Sequence, residues 1–436
     1  MTTLACAVTR AWPAATLCGL ALLAAGCGTA STAHPAGSPA SSPARPASVA
    51  GGATHPPAAA SKAPASAKAS PPCRAGGAAA AAVSTAQGVS AQVPPLDTVQ
   101  FVNASQGWAA GAGQILATSD GGRTWTRQYT GTAKIDQVDF TDANHGWAVS
   151  TNGLLRTTDG GATWTQLSEP ACTTPVEDVH FVTQDLGYAV ARGAQVWTSA
   201  GVPAAVSGGE LLTTTDGGRQ WTPVPGAPAQ AQTVCFSGPD NGFLGTPGKV
   251  WHTEDGGKTW SEAFTEPPLA SGVHPPAPDT TVLECAGGNA AWVQFLGYGA
   301  GMGHAPYLAY ATQDGTNWRV LFEESYLESA ARPEVHAPDG PGSYPGPFSA
   351  ISPAAAVFVG YTPPLGYGAA PMELVTSGGA TLTEEGNVGG VSVPVAAAFI
   401  SPSQGWVVGE TLPSGDVVIE ATANGGHTWT RQYQAR

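Results

Sequence analysis

The sequence predicts an all-β protein, a seven-bladed β-propeller of four-stranded antiparallel blades preceded by a disordered linker. Three observations predict this fold. A short box built around Asp-Gly-Gly and a tryptophan recurs along the chain, and an aromatic pair recurs at a fixed step of seven residues ahead of it. Gly and Pro, 57 and 38 of the 436 residues, favour frequent turns over long helices.

The box marks the end of each repeat unit. Its acid or amide stands at Asp120, Asp159, Asp216, Asp255, Asp314 and Asn424, and its tryptophan at Trp125, Trp164, Trp221, Trp260, Trp318 and Trp429. The interval between the last two of these boxes is about twice the earlier ones, which indicates a degenerate unit. Ser377 and Leu382 occupy the acid and tryptophan positions there. The sequence therefore predicts seven units, numbered here in chain order.

Each unit contains four short segments with the alternation of strands. Phe101 precedes Trp108 by seven residues, and Phe140 precedes Trp147 by the same step. A four-stranded antiparallel sheet cannot bury both of its faces alone, so we expect the units to stack around an axis as one domain over residues 96–436. A β-solenoid, the alternative, would need much shorter repeats.

We interpret the boxes as structural. Each lies between the third and fourth strands of its unit, where the carboxylate can accept hydrogen bonds from turn N–H groups. The paired glycines supply positive φ, and the tryptophan packs over the hairpin. The alternative is that these acids are catalytic or bind calcium. Seven equivalent copies around one rim favour the structural interpretation.

The N-terminus predicts export. Residues 1–27 combine Arg10, a short apolar run and a small-residue stretch ending at Cys27, which resembles the lipobox of bacterial lipoproteins. Cys27 would then carry the lipid that anchors the protein to the outer face of the cytoplasmic membrane or to the cell wall. An ordinary secretory signal is the alternative. Residues 28–95 are rich in Ala, Pro and Ser, which predicts a disordered tether.

The repeat units resemble a known group of propellers. Their boxes are similar to the Asp-box or BNR repeats of sialidases, xyloglucanases and sortilin-type receptors. The fuller unit, in which Phe101 is followed by Trp108-Ala109 and later by the box, most resembles the photosystem II assembly and stability factor family and its relatives in non-photosynthetic bacteria. The resemblance implies a seven-bladed propeller that binds a membrane-protein client. The Arg patch of that family has no evident counterpart in this sequence.

Four cysteines remain besides those of the N-terminal 27 residues. Export permits disulfides, and Cys235 and Cys285 occupy comparable strands of neighbouring units. We therefore expect Cys235 to pair with Cys285 and Cys73 with Cys172. Four cysteines allow three pairings, and the sequence excludes none of them.

The candidate binding residues lie where the units stop repeating. In a propeller, the loops between the second and third strands share a face with the connections between units, and several of these are long. Long loops on a rigid scaffold are the usual place for recognition. They carry Trp197, Tyr298, His304, Tyr307, Tyr326, Tyr344, Tyr361 and Tyr367. Aromatic side chains on such loops suit peptide segments or sugar rings, although each could instead pack its loop onto the propeller.

Charge and motif content narrow the function. The formal net charge of -14 argues against a nucleic-acid partner. The histidines show no metal-ligand spacing, and we expect no cofactor and no catalytic residues. The sequence therefore predicts a monomeric, surface-tethered scaffold that binds a protein client or a glycan of the cell envelope. A lectin or glycoside hydrolase is the alternative, with candidate acids at Asp279, Glu284, Glu323, Glu324, Glu334, Glu410 and Asp416.

Overall fold

The computed structural model describes residues 82–83, 95–167, 176–191, 195–197, 203–206, 209–268, 280–297, 304–324, 334–362 and 368–436. Several predictions concern other parts of the chain and lie outside these ranges: the signal segment with Cys27, nearly all of the tether, Cys73 with Cys172, Asp279, Tyr298, Tyr326 and Tyr367. Nothing is described of the side chains of residues 82–83, 195–197, 203–206 and 384–385. Within the described ranges, no helix has the length and apolar character needed to cross a membrane.

The first two repeat units form one seven-stranded antiparallel sheet. Its spatial order is β1-β7-β6-β5-β4-β3-β2. The strands are β1 (Ala82–Val83), β2 (Leu96–Phe101), β3 (Gly107–Thr118), β4 (Thr126–Phe140), β5 (Gly146–Ser150), β6 (Gly153–Thr157) and β7 (Trp164–Gln166).

Five further sheets have four strands each. The first contains β8 (Val176–Phe181), β9 (Gly187–Ala191), β12 (Leu211–Thr214) and β13 (Thr222–Pro223), and the second contains β14 (Thr233–Phe236), β15 (Gly242–Thr246), β16 (Lys249–Thr253) and β17 (Ser261–Thr265). The third contains β18 (Thr280–Cys285), β19 (Ala291–Leu296), β20 (Tyr307–Thr312) and β21 (Trp318–Glu324), and the fourth contains β22 (Phe348–Ser352), β23 (Ala355–Val359), β24 (Ala370–Thr376) and β25 (Thr381–Val388). The fifth contains β26 (Val393–Phe399), β27 (Gly405–Thr411), β28 (Asp416–Thr422) and β29 (Thr430–Ala435). A separate hairpin, β10 (Gln195–Trp197) with β11 (Pro203–Val206), is inserted between β9 and β12. A 3₁₀ turn covers Ser377–Gly379.

The prediction of seven separate blades is wrong. The described residues form six blade sheets, five of four strands and one of seven. The difference arises because β4 serves both units: its first half pairs with β3 and its second half with β5. Ala112, in the middle of β3, pairs with Lys134, so the connection between the units stays extended and hydrogen-bonded. The four-stranded organisation of the other sheets agrees with the prediction.

Neighbouring units are joined by a repeated aromatic contact. The Trp147 indole stacks on the Phe181 ring of the next unit, with centroids 3.5 Å apart and planes inclined by 3°. Its Nε1 donates to the Gly217 carbonyl in that unit's box, at 3.0 Å. Phe181 in turn meets the box residue Trp221 edge-on at 5.9 Å. The aromatic residues of the seven-residue step therefore form the contact between neighbouring units and also hold the box in place.

The ring is closed by the same contact. Trp406 stacks on Phe101 at 3.4 Å and 5°, and its Nε1 donates to the Gly121 carbonyl at 3.1 Å. No strand of the last sheet pairs with the first within the described residues, because β1 pairs with β7 instead. Closure therefore rests on side-chain packing between β2 and the last sheet.

The inner strands are also tied to one another. The Gln100 side chain bonds both backbone groups of Phe140, and Asp139 accepts from the Phe181 amide at 2.6 Å. One junction also has a covalent tie. Cys235 on β14 and Cys285 on β18 form a disulfide, with 5.6 Å between their Cα atoms.

Candidate functional site

Hydrogen bonds define the two faces of the propeller. On one face the box turn of six units bonds the turn between the first two strands of its unit, as where the Gly121 amide donates to the Ser105 carbonyl at 2.8 Å. On the other face the connections between units meet the loops between second and third strands. There the Ala112 amide donates to the Pro95 carbonyl at 3.0 Å, and the Ala305 amide to the Ser343 carbonyl at 2.9 Å. We call these the box face and the loop face.

The boxes use their carboxylates within their own turns. Asp120 accepts from the Thr124 amide at 2.9 Å and from the Thr124 hydroxyl at 2.7 Å, and the Thr118 hydroxyl donates to it at 2.9 Å. These bonds, those to Thr124 first, lower the pKa of Asp120 to about 2. Gly121 and Gly122 have φ of 76° and 89°, a conformation that a side chain would strain. The geometry accounts for the box chemistry without a ligand.

Acid should weaken the boxes selectively. The pKa of Asp120 is lower in the folded chain than in an unfolded one. Its carboxylate therefore stabilises the fold above about pH 4, and this contribution is lost as the pH falls toward about 2. We expect Asp120→Asn to be less stable than the native protein at pH 7 and the difference to shrink between pH 4 and pH 2, measured by chemical unfolding.

The last box supplies the matched control for that measurement. Asn424 already has the amide, accepts from the Thr428 amide at 3.0 Å and donates to the Thr428 hydroxyl at 2.9 Å. Asn424→Asp should add an acid-dependent loss of stability rather than remove one. An Asp120→Asn difference that stays constant from pH 7 to pH 2 would contradict the role assigned to the carboxylate.

The structure separates the predicted binding residues. Tyr307 was expected on the loop face, but it begins β20, is 1% exposed, and donates its hydroxyl to the Gly342 carbonyl at 3.0 Å. It packs the connection onto the sheet and does not belong to an exposed surface. His304 lies nearby, with Nδ1 2.7 Å from Glu324 Oε1. Trp197 ends β10, and its side chain lies outside what is described.

Tyr344 and Tyr361 are brought together. They form an antiparallel bridge, with the Tyr344 amide donating to the Tyr361 carbonyl at 2.8 Å and the reverse bond at 3.0 Å. Their rings meet edge-on at 5.7 Å and are partly exposed. Burial raises the pKa of the Tyr361 hydroxyl, and the nearby Tyr344 and Glu410 raise it further. An aromatic pair thus stands beside a carboxylate on the loop face.

Two charged residues that the sequence analysis missed, Asp97 and Lys134, extend this surface. Lys134 Nζ lies 2.8 Å from Asp136 Oδ1 and 3.6 Å from Asp97 Oδ1. Burial raises the pKa of Asp97 to about 6; Lys134 opposes the rise, while Asp136 and Glu410 add to it. We call Asp97, Lys134, Tyr344, Tyr361 and Glu410 the mouth surface, because Asp97 also lines the central channel.

A sequence signal for these acids exists. Asp97 and Asp136 each stand four residues before the phenylalanine that begins the seven-residue aromatic step of their unit, Phe101 and Phe140. At both positions the pairing register shifts, so one extra residue is inserted into the strand. Such bulges redirect a side chain, which explains why strand alternation alone did not indicate these acids.

The channel offers little chemistry of its own. It is a cavity of about 300 Å³ lined by the innermost strands. Its polar side chains bond the neighbouring strand: His180 Nε2 lies 2.8 Å from the Phe236 carbonyl, and Glu284 accepts from the Ala350 amide at 2.7 Å. Glu284 was one of the candidate acids of the glycoside hydrolase alternative. A second candidate acid, Asp416, does not line the channel and accepts a hydrogen bond from Gln434 Nε2 at 2.7 Å. Across the described ranges, no group of three or more His, Cys, Asp or Glu could hold a metal ion.

Part of the repeat region matches a family model. A family model described as photosynthesis system II assembly factor YCF48 matches residues 128–267. The chain is a BNR-type β-propeller that resembles this assembly factor. None of the curated proteins compared with the chain matches it. The matched residues end before Tyr344, so the match does not include the tyrosine pair of the mouth surface.

Solved structures agree on the architecture. YCF48 bound to D1 peptide is 16% identical with a TM-score of 0.49, and the alignment covers 80% of this chain and 99% of that one. The GH74 xyloglucanase from Xanthomonas campestris is 14% identical with a TM-score of 0.51, covering 81% of this chain and 56% of that one. At 14% identity, the likeness to the xyloglucanase shows the propeller fold alone.

Proposed function

We propose that this protein is a non-enzymatic scaffold that binds a polypeptide segment at its mouth surface. The observation that carries the proposal is the bridged Tyr344–Tyr361 pair, which lies partly exposed on the loop face beside Glu410. Tyrosines held by their backbones offer flat contact area at low entropic cost. The box face, by contrast, uses its polar groups within its own turns.

The charge of the mouth surface favours a basic segment. Lys134 faces both Asp97 and Asp136, and Glu410 adds a third carboxylate. The chain as a whole has a net charge of -14. A Lys or Arg side chain of a client would bring a compensating charge to the acids and could stack on a tyrosine ring. Binding should weaken as salt is added, because partly exposed charges are screened.

The scaffold acts outside the cytoplasm in this proposal. Cys27 carries the lipid, and the Ala-, Pro- and Ser-rich sequence that precedes β1 serves as the tether that lets the propeller meet a client away from the membrane surface. The family match to an assembly factor supports a protein client over a small substrate. A glycoside hydrolase would release reducing sugar from envelope polysaccharide, and we expect none.

The test is a pull-down from native envelope extract with the full tethered chain. We expect Tyr344→Ala with Tyr361→Ala to reduce client recovery about tenfold or more, the scale of hot-spot aromatic residues. The control is Arg123→Ala with Lys258→Ala, two exposed box-face positions, which should leave recovery unchanged. Melting temperatures of both double variants establish that the fold is intact. Full recovery with the tyrosine variant, or loss with the box-face variant, would contradict the proposal.

A further inference from the structure

A second concave site lies on the outer side of the propeller, between the last two sheets. It is an open groove of about 600 Å³, with Trp429 as its aromatic wall and Glu420, Arg431, Asn387 and His427 around it. None of its lining residues belongs to the mouth surface, and of the last box only His427, Thr428 and Trp429 line it.

Two glycines keep the groove open. Gly389 and Gly390 form the turn between β25 and β26, which passes beside the indole. A Cβ on Gly389 would stand 3.8 Å from Trp429 Cβ and Cδ1, so a larger side chain there would cover the ring. Gly390 has φ of 85°, and a Cβ there would lie within 2.6 Å of Arg431 Nη2. The turn therefore approaches Trp429 and Arg431 closely without filling the space between them.

The charges in the groove are already paired. Arg431 Nε donates to Glu420 Oε1 at 2.8 Å, and Nη2 donates to the Gly390 carbonyl at 3.3 Å. Burial raises the pKa of Glu420, while Arg431 opposes the rise. Because carboxylate and guanidinium neutralise each other, the groove presents polar groups without a net charge from this pair. Neither Glu420 nor Arg431 therefore offers a charged ligand an unpaired counter-charge.

The remaining groups suit hydroxyl groups. Asn387 and Thr428 are both exposed at the groove: the Asn387 amide can donate and accept, and the Thr428 hydroxyl, which accepts from Asn424, can still donate. Arg431 bonds Glu420, Gly390 and Gln434 with three of its five N–H groups and keeps two planar donors, and the Trp429 ring offers an apolar face for C–H groups. A neutral sugar is complementary to these groups, because its hydroxyls both donate and accept hydrogen bonds and its ring has an apolar face.

We propose that this groove binds an uncharged pyranose oligosaccharide. The site is independent of the mouth surface, so the propeller would hold a neutral glycan at its outer side while its loop face binds a polypeptide. The glycan bound here is a ligand and not a substrate, since the Glu420 carboxylate is occupied by Arg431.

The test is isothermal titration calorimetry of the full chain with cellohexaose, xylohexaose, maltohexaose and chitohexaose, each up to about 10 mM. At least one should bind. Gly389→Leu, which fills the groove without removing any polar group, should weaken that binding about tenfold or more. Trp429→Ala should do the same. Gly238→Leu is the matched control, because a Cβ at Gly238 meets open space. Tyr361→Ala should also leave sugar binding unchanged.

Each contrary result has a defined meaning. If none of the four oligosaccharides binds, the proposal is overturned, whatever becomes of the mouth surface. Undiminished binding by Gly389→Leu also overturns it, even where Trp429→Ala fails to fold. Sugar binding lost in Tyr361→Ala but kept in Gly389→Leu would move the glycan to the loop face and overturn the assignment.

Discussion

Trp406→Ala is expected to lower the free energy of unfolding by about 3–5 kcal/mol and to loosen the ring at its closing junction. The side chain is 1% exposed, stacks on Phe101 and bonds the Gly121 carbonyl. Its removal leaves a cavity at the junction where the first and last sheets meet without a shared strand. Chemical unfolding measures the loss, and amide hydrogen exchange of β2 and β26 reports the loosening.

Trp108→Ala is the matched control. Trp108 is 2% exposed, stacks on Phe140 at 3.5 Å and donates to the Gly160 carbonyl at 3.0 Å. Its two units, however, also share β4. The stability loss should therefore be similar, while faster exchange should stay local and not extend across a whole sheet. Equal, local exchange changes in the two variants would show that closure does not depend on Trp406.

Removing the disulfide is expected to cost about 4 kcal/mol in the chain-entropy model, given its sequence separation of 50 residues. The variant is Cys235→Ala with Cys285→Ala, which leaves no unpaired thiol at this site. The bond joins the innermost strands of two neighbouring sheets, which Thr281 also joins: its amide donates to Gln232 Oε1 at 2.9 Å and its hydroxyl to the Thr246 carbonyl at 2.7 Å. Urea unfolding of the oxidised protein and the double variant measures the difference.

Reductant provides the control for the disulfide. Dithiothreitol should lower the unfolding midpoint of the native protein and leave that of the double variant unchanged. A native midpoint that does not respond, although mass spectrometry shows the bond reduced, would contradict its assigned contribution.

Much of the fold could be read from the sequence because one contact repeats. Phe181 and Tyr188 keep the seven-residue step that recurs from unit to unit, and the structure shows why: each ring stacks on an aromatic ring of a neighbouring unit. The blade count could not be read in this way. Whether the connection before Lys134 turns or stays extended depends on its pairing with Ala112, a contact that no local pattern encodes.

The candidate site was only partly predictable. Aromatic residues in long loops indicated Tyr344 and Tyr361 but not their bridge, which forms between a connection and a loop of neighbouring strands. The same criterion wrongly included Tyr307, because the start of β20 could not be told from its preceding loop. Asp97 and Lys134 were missed, since their proximity depends on bulged strands of two units.

Photo-crosslinking from two positions of the chain, in the envelope fraction in which we propose it acts, tests the central claim most directly. A photoreactive residue in place of Tyr361 samples the mouth surface, and one in place of Arg123 samples the box face. We predict that position 361 crosslinks to a polypeptide segment enriched in Lys and Arg, that salt weakens this crosslink, and that position 123 gives no such product. Crosslinks to the same client from position 123 alone would contradict the assignment of binding to the loop face.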